Sequence, residues 1–214
     1  THTVRCLIKQ SRQRARDVGK KGEQVRGCCV LSAPTGSASF QMKFGAATAH
    51  RTYGISPFHA FRKLGEQGDV YNRVRQKLKL ARLLILDERS MIGRMFLGKI
   101  GLRCEQVLGR GEGPEDATLG FRDFLMVGDD KQITPIGDHP LFLDGAYKGK
   151  AKQPDGGPSP DALVGKGISV REECQDVVIL RGMHRRDDGE NIIDPVEKQA
   201  YCAEADEFVR VCRR

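Results

Sequence analysis

Residues 83–91, LLILDERSM, decide the fold class because a short aliphatic run is followed at once by two carboxylates. Continuous apolar runs of this length are typical of strands buried on both faces, as in a parallel sheet. Three similar runs occur at residues 28–31, 124–127 and 177–180. Because helical stretches separate the runs, we predict an α/β fold with a parallel sheet flanked by helices, and a site where the strands end.

Two helices are predicted between these runs, over residues 70–81 and 92–108, although Gly98 and Gly101 are unfavourable inside the second. Residues 1–26 are rich in arginine and lysine and show only a weak helical period. We therefore expect them to form a helix or a basic N-terminal arm outside the core.

Charge is distributed unevenly along the 214 residues, whose net charge is +8. Residues 1–82 hold 17 lysines and arginines against 4 acidic residues, whereas residues 83–214 hold 19 against 24. A basic first part suggests a polyanionic partner, and an acidic second part suggests metal-binding or catalytic carboxylates. A solvated basic segment at the N-terminus is the simpler alternative.

The cysteine content and the hydropathy exclude several classes of protein. Seven cysteines without a Cys-x-x-Cys spacing indicate reduced thiols, and not a zinc site or a disulfide framework. No apolar run approaches the ~20 residues of a membrane helix, and the first residues lack the apolar segment of a secretory signal. We expect an intracellular protein without membrane association, in the nucleus or a mitochondrion if the source is eukaryotic.

The carboxylates of the opening stretch suit nucleotide hydrolysis. Asp87 stands where it could hold Mg²⁺ against phosphates, and Glu88 could orient or deprotonate an attacking water. Residues 124–132, FLMVGDDKQ, form a second apolar run that ends in Gly-Asp. The amide of Gln132 could hydrogen-bond a γ-phosphate or the water without adding charge. A solvated strand end and a plain turn are the alternatives.

Two further segments have the composition of phosphate or nucleic-acid contacts. The first combines residues 33–38, APTGSA, with residues 45–51, GAATAHR, where small residues and hydroxyls would let a phosphodiester backbone approach. His50 and Arg51 could stack on or pair with nucleic acid there. Residues 180–186, LRGMHRR, carry an arginine pair that could reach a transferring phosphate. A core histidine and a solvated basic turn are the alternatives.

In this order and spacing, the four segments resemble motifs of the Pif-family DNA helicases, superfamily-one motors related to RecD and to the Helitron transposon helicases. Within residues 28–186, LSAPTGSASF…TAHRTYGI resembles motif Ia of the family, and LLILDERSMI resembles motif II. LMVGDDKQITPI resembles motif III, and VVILRGMHRR resembles motif IV. The resemblance implies a RecA-like P-loop NTPase fold, ATP and Mg²⁺ as cofactors, and single-stranded DNA as the partner of a monomer. The Asp-Glu-x-Ser form differs from the DEAD and DEAH boxes of RNA helicases.

The resemblance also implies a role for each matching residue. Asp87 would bind Mg²⁺ and the nucleotide, and Glu88 would be the general base. Gln132 would sense the γ-phosphate, and Arg185 would contact it. The path of single-stranded DNA would be lined by Thr35, Gly36, His50 and Arg51.

Some parts of a helicase motor are missing from the sequence. No Gly-Lys pair is followed by Ser or Thr, so the phosphate-cradling Walker A loop is absent, and so are motifs V and VI. We expect an incomplete fold, with little or no ATPase activity, from a helicase fragment or a truncated descendant. The expected segments are an arm (1–26), a partial first RecA-like domain (27–147), a Gly/Pro-rich loop or linker (148–168), and a motif IV segment with a C-terminal helix (169–214).

Three functional hypotheses follow. The leading one is a piece of an ATP-dependent DNA helicase that acts in DNA repair or recombination, or that derives from a transposon. The second is a non-catalytic remnant that binds single-stranded nucleic acid through its basic part. The third, a different nucleotide hydrolase on the same fold, is disfavoured by Gln132 and by the segment that resembles motif Ia.

Overall fold

Helices and strands alternate in the protein, for which a computed structural model describes residues 2–109, 119–120, 122–130, 132–142, 157–180 and 207–212. The strands are β1 (Cys29–Ala33), β2 (Ala47–Thr48), β3 (Leu83–Leu86), β4 (Asp123–Gly128), β5 (Asp176–Leu180) and β6 (Glu207–Cys212). The helices are α1 (His2–Asp17), α2 (Glu23–Gly27), α3 (Gly36–Met42), α4 (Ala49–Tyr53), α5 (Asp69–Lys79), α6 (Arg94–Leu108) and α7 (Pro160–Glu172). A 3₁₀ turn, Arg89–Met91, follows β3.

The strands form one sheet in the order β2-β1-β3-β4-β6-β5. The first four strands are parallel, and the register places Leu31 beside Ile85 and Ile85 beside Leu125. β6 is antiparallel to both of its neighbours. The predicted α/β fold with a parallel sheet is confirmed for β1, β3 and β4, the strands of the first three aliphatic runs.

The core lies on both faces of the sheet because successive strand residues point to opposite sides. On one face, Leu84, Leu86 and Phe124 pack with apolar residues of α4 to α7. On the other face, Leu31 and Ile85 pack with apolar residues of α1, α2 and α3. The sheet is therefore the middle one of three layers, flanked by helices as predicted.

The N-terminal segment forms the helix that was one of its two predicted forms. Its expected position outside the core is wrong, because the segment belongs to the core. Val4 and Ile8 of α1 are 2% and 0% exposed, and Ala15 and Val25 are also buried. They pack against the sheet as part of one apolar cluster with β1, β3 and β4. A narrow apolar stripe on α1 is enough for this packing, and the many cations of the segment lie on its other sides.

The predicted loop at residues 148–168 is also wrong in part, because α7 begins at Pro160. The Ser159 hydroxyl caps the helix by accepting a hydrogen bond from the Ala162 N–H at 3.2 Å. Gly167, one of the glycines that suggested a loop, serves the packing of two helices instead. A Cβ at Gly98 or Gly167 would overlap the backbone of the facing helix, so these glycines let α6 and α7 pack closely.

The C-terminal segment differs from its prediction in two ways. A helix is predicted at the C-terminal end of residues 169–214, but the described residues there, Glu207–Cys212, form β6. Residues 181–206 and 213–214 lie outside the described residues. The run at 177–180 forms β5, which pairs antiparallel with β6 and leaves Val177 and Val178 45% and 49% exposed. Its apolar composition therefore does not reflect burial in a parallel sheet.

Both helices predicted between the strands are confirmed, as α5 and α6. α5 buries Val74 and Leu78, which lie four residues apart on one side. Among the described helices, none combines the length and the apolar composition that a membrane span requires.

Candidate functional site

The carboxylate pair follows β3 at the edge of the sheet where the parallel strands end. The Asp87 N–H donates to the Ser32 carbonyl at 2.9 Å, which extends the β1–β3 ladder by one residue and leaves Asp87 only 8% exposed. Glu88 then turns the chain with φ 54° and ψ 50°, a left-handed conformation that is uncommon for a residue other than glycine. Its N–H donates to Asp87 Oδ1 at 3.1 Å. The turn separates the two carboxylates into a buried one and a partly exposed one.

The end of β4 lies directly beside this turn. The register pairs Leu86 with Met126, so Asp129 follows its strand at the same edge as Asp87. Gly128 is required by the close approach, since a Cβ there would stand 2.5 Å from the backbone nitrogen of Arg89. This register places both strand ends at the edge where the sequence predicts a site.

An ion pair that the sequence did not predict joins the two strand ends. Arg89 Nε donates to Asp130 Oδ1 at 2.9 Å, and Arg89 Nη2 contacts Asp130 Oδ2. The Arg89 residue is only 3% exposed, so the pair is largely withdrawn from water. Opposite charges following two neighbouring parallel strands, in DERS and GDDK, were the available signal. The pair holds the turn after β3 against the turn after β4.

The segment after β4 returns to the start of α6. Gln132 is exposed, and its N–H donates to the Asp129 carbonyl at 3.1 Å in a tight turn. Further on, the Asp138 carboxylate accepts from the Met95 and Phe96 N–H groups at 3.1 and 2.9 Å. These bonds satisfy the first turn of α6 from outside the helix. The exposed Gln132 side chain is thus carried by a loop that is fixed at both ends.

The predicted DNA-contact residues after β1 are held by a helix cap. Thr35 Oγ1 accepts a hydrogen bond from the Ala38 N–H at 3.2 Å and so caps α3. Gly36 is exposed, and a Cβ built on it would meet no atom within 4 Å. The space in front of Gly36 is therefore open, and the protein itself imposes no steric need for glycine there.

The predicted DNA-contact residues after β2 lie in the short helix α4, which Thr48 caps. The His50 ring stacks on Phe96 of α6, with centroids 4.5 Å apart and planes tilted by 33°. Burial lowers the His50 pKa below its ordinary range, and the positive charge of Lys99 lowers it further. Arg51 is exposed. At neutral pH, His50 therefore offers a neutral ring and Arg51 a charge.

The sheet topology brings the predicted site residues to one edge, with one exception. Thr35, Gly36, His50 and Arg51 follow β1 and β2, and the carboxylates follow β3 and β4. Arg185 lies outside the described residues.

Within the described ranges, no group of three or more His, Cys, Asp or Glu residues could hold a metal ion. The Asp87 carboxylate is still compatible with Mg²⁺, which commonly takes one or two carboxylates with phosphate oxygens and waters. The Gly-Lys-Ser/Thr loop that would cradle the phosphates is missing from the sequence. The described residues thus include a carboxylate that fits the Mg²⁺ of a nucleotide site, but the sequence lacks the loop that would bind the phosphates.

No protein-family model matches this chain, and no curated protein sequence matches it. Solved structures of helicases are similar to parts of it. A Bacteroides Pif1 bound to ssDNA is 25% identical over 61% of this chain and 28% of its own, with a TM-score of 0.41. A Pif1 helicase solved for DNA unwinding at forked dsDNA is 28% identical over 51% of this chain and 25% of its own, with a TM-score of 0.42. The Candida albicans Pif1 helicase is 21% identical over 62% of this chain and 27% of its own, with a TM-score of 0.43. The chain spans about a quarter of the length of these helicases.

Proposed function

We propose that this chain is part of the first motor domain of an ATP-dependent DNA helicase that acts in DNA repair or recombination, or that derives from a transposon. One observation carries the proposal. β3 and β4 are adjacent, parallel and in register, and they end at one edge in Asp87-Glu88 and Asp129. The segments that resemble the DNA-contact motif, around Thr35 and His50, follow the next two strands at the same edge. A RecA-like motor needs this juxtaposition of nucleotide and DNA contacts.

Each residue at the edge has a role in this proposal. Asp87, buried and fixed by its neighbour's N–H, would hold Mg²⁺, which supplies positive charge against the phosphates when bound. Glu88, which is partly exposed, would orient or deprotonate the attacking water. Gln132 would hydrogen-bond the γ-phosphate or that water from its fixed loop. Arg185 keeps the role that the resemblance gives it, as a contact of the γ-phosphate.

The missing Walker A loop predicts weak nucleotide turnover by this chain. Without the backbone amides and the lysine of that loop, phosphate binding loses most of its donors. In a DNA-stimulated ATPase assay, we expect the 214-residue chain to show little or no activity above background. Robust turnover that Asp87→Ala abolishes would contradict this prediction, although it would support the role of Asp87.

Nucleotide binding tests the proposed site independently of turnover. We expect a fluorescent ATP analogue to bind weakly, to require Mg²⁺, and to bind about ten-fold more weakly to Asp87→Asn. Asp123→Asn, an exposed carboxylate at the start of β4, is the matched control and should leave the affinity unchanged. Binding that ignores both Mg²⁺ and Asp87→Asn would rule out the proposed site.

A second candidate function is non-catalytic binding of single-stranded nucleic acid. It is favoured by the exposed Arg51 and the open space at Gly36, which follow the neighbouring strands β2 and β1. It is also favoured by the excess of 17 basic over 4 acidic residues in residues 1–82. The logarithm of the affinity for single-stranded DNA should fall with the logarithm of salt concentration by about 0.7 per phosphate contacted. Arg51→Gln should lower that slope by about 0.7, whereas His50→Gln should leave it unchanged at pH 7.5. A salt-independent affinity would contradict both candidate functions.

A further inference from the structure

A second candidate site lies away from the carboxyl ends of the strands, along the outer edge of β1. On the side of β2, strand partners exist only for Ser32 and Ala33, which pair with Ala47 and Thr48. The edge at residues 29–31 is left uncovered by any strand in the part of the chain that the structure describes. A cleft of about 590 Å³ opens along it, between α1 and α2 on one side and α5 on the other.

The backbone at this edge is oriented for strand pairing. In a parallel ladder, alternate residues direct both backbone groups to the same neighbour. The carbonyls of Cys28 and Ser32 accept hydrogen bonds on the β3 side, from Leu83 and Asp87 respectively. Cys29, in between, therefore directs its N–H and C=O groups toward the cleft. Such an edge is a template for an additional strand.

Both walls of the cleft are basic. Arg12 and Arg26 line it from α1 and α2, and Arg73 and Lys77 line it from α5, while Glu23 is the one acidic residue among the lining residues. None of the four cations forms an ion pair within the described residues. The cleft thus holds an excess of positive charge on either side of a strand edge without a strand partner. Cys29, Val30 and Leu31 of this edge are 5%, 2% and 2% exposed, so the edge lies at the floor of the cleft.

We propose that this cleft binds an extended acidic segment of a partner protein, which pairs with β1 as an added strand. An added strand would direct successive side chains alternately to its two faces. Acidic residues on one face would meet Arg12 and Arg26, and those on the other face would meet Arg73 and Lys77. The open edge spans three residues, or about 10 Å, so a short segment is enough. The proposal does not depend on the nucleotide site.

The lining favours a peptide over a single-stranded nucleic acid. A nucleic-acid strand would direct its phosphates to one wall and its bases to the other, where stacking needs a free aromatic face. Phe44 is the one aromatic residue that lines the cleft, and the Arg12 guanidinium already lies over its ring, 5.4 Å from the centroid. Bases would meet cations where they need an aromatic face, whereas carboxylates would meet cations on both walls.

A labelled peptide tests the proposal on the full chain. The probe is the fluorescein-labelled, capped hexapeptide Glu-Val-Asp-Glu-Val-Glu, which places two carboxylates on each face of a strand. We expect it to bind, and Arg26→Gln with Arg73→Gln to weaken it about five-fold, since two exposed ion pairs are lost. Arg14→Gln with Arg75→Gln is the matched control, because both arginines are exposed on α1 and α5 but do not line the cleft. The control should bind like the wild type.

Two further readouts test the strand pairing itself. Peptide binding should slow amide hydrogen exchange at Cys29, whose N–H gains a partner. Versions of the peptide that are N-methylated at alternate residues keep every charge but lose the backbone N–H donors along one of their two edges. At least one of these versions should lose binding. If all versions bind equally, the strand pairing is excluded. If the hexapeptide fails to bind, or if an oligothymidylate binds and is weakened only by the cleft variant, the proposal of a peptide site is wrong.

Discussion

The charged residues between the central strands β3 and β4 are paired, whereas those along the outer edge of β1 are not paired with each other. In the centre, Arg89 and Asp130 pair across the ends of β3 and β4, with side chains only 4% and 18% exposed. At the edge, Arg26 and Arg73 flank the open side of β1 and form no ion pair within the described residues. The first arrangement is closed and internally neutral, and the second is open and positively charged.

The buried Arg89–Asp130 pair has a structural role, whereas the cations beside β1 are available for binding. A buried pair fixes the geometry around it and is costly to break, because the remaining charge stays in a poorly solvated place. Exposed cations without a partner contribute little to stability but attract an anion from solution. Mutations in the two regions should therefore differ in the size of their effect on stability.

The largest effect is expected at the centre. Asp130→Ala removes the carboxylate that both guanidinium contacts reach, and we expect it to lower the free energy of unfolding by about 3 kcal/mol. Urea denaturation followed by circular dichroism measures this loss as a lower midpoint at constant slope. Asp123→Ala, an exposed carboxylate at the start of the strand that precedes Asp130, is the control and should stay within about 0.5 kcal/mol of the wild type. Equal stability of the two variants would show that the pair has no structural role.

The centre of the sheet was also the most predictable part of the fold. The four aliphatic residues of 83–86 match β3 in full, and the runs at 28–31 and 124–127 lie within one to two residues of the bounds of β1 and β4. A strand that is buried on both faces leaves a continuous apolar run, which needs no knowledge of its neighbours. The expectation of a site where the strands end follows from the same pattern, because parallel strands end on one side.

What the sequence did not reveal depends on contacts between distant segments. α1 is basic overall, and Val4 and Ile8 mark a buried stripe only once the sheet face opposite them is known. Gly98 and Gly167 lower the intrinsic stability of helices, yet both are explained by the close packing of α6 against α7. The pairing of β5 with β6 is equally non-local. Composition is a property of one segment, whereas these features depend on the contacts between two segments.

A smaller effect is expected at His50, in the helix that follows β2. Because burial and the charge of Lys99 lower its folded-state pKa below the usual 6.5, the unfolded state binds the proton more readily. The stability it supports is therefore intact above about pH 6.5 and is lost as the pH falls through the lowered folded pKa. His50→Gln should flatten the decline of stability between pH 7 and pH 5, measured by urea denaturation.

The matched control for this pH dependence is His59→Gln, since His59 is exposed in the segment before α5. Its stability should follow the same pH profile as the wild type. If His50→Gln and His59→Gln both leave the decline unchanged, the acid sensitivity arises elsewhere, and the contact of His50 with Phe96 does not resist protonation.

The smallest effect is expected at the open edge, and it is the one that tests the comparison most directly. Arg26→Gln with Arg73→Gln removes two cations, yet we expect the free energy of unfolding to stay within about 0.5 kcal/mol of the wild type, because neither arginine forms an ion pair within the described residues. Added salt should stabilise the wild type slightly more than the variant, since it screens repulsion that the variant no longer has. A loss of stability comparable to that of Asp130→Ala would mean that these two arginines stabilise the fold. Their role would then be structural, like that of the Arg89–Asp130 pair.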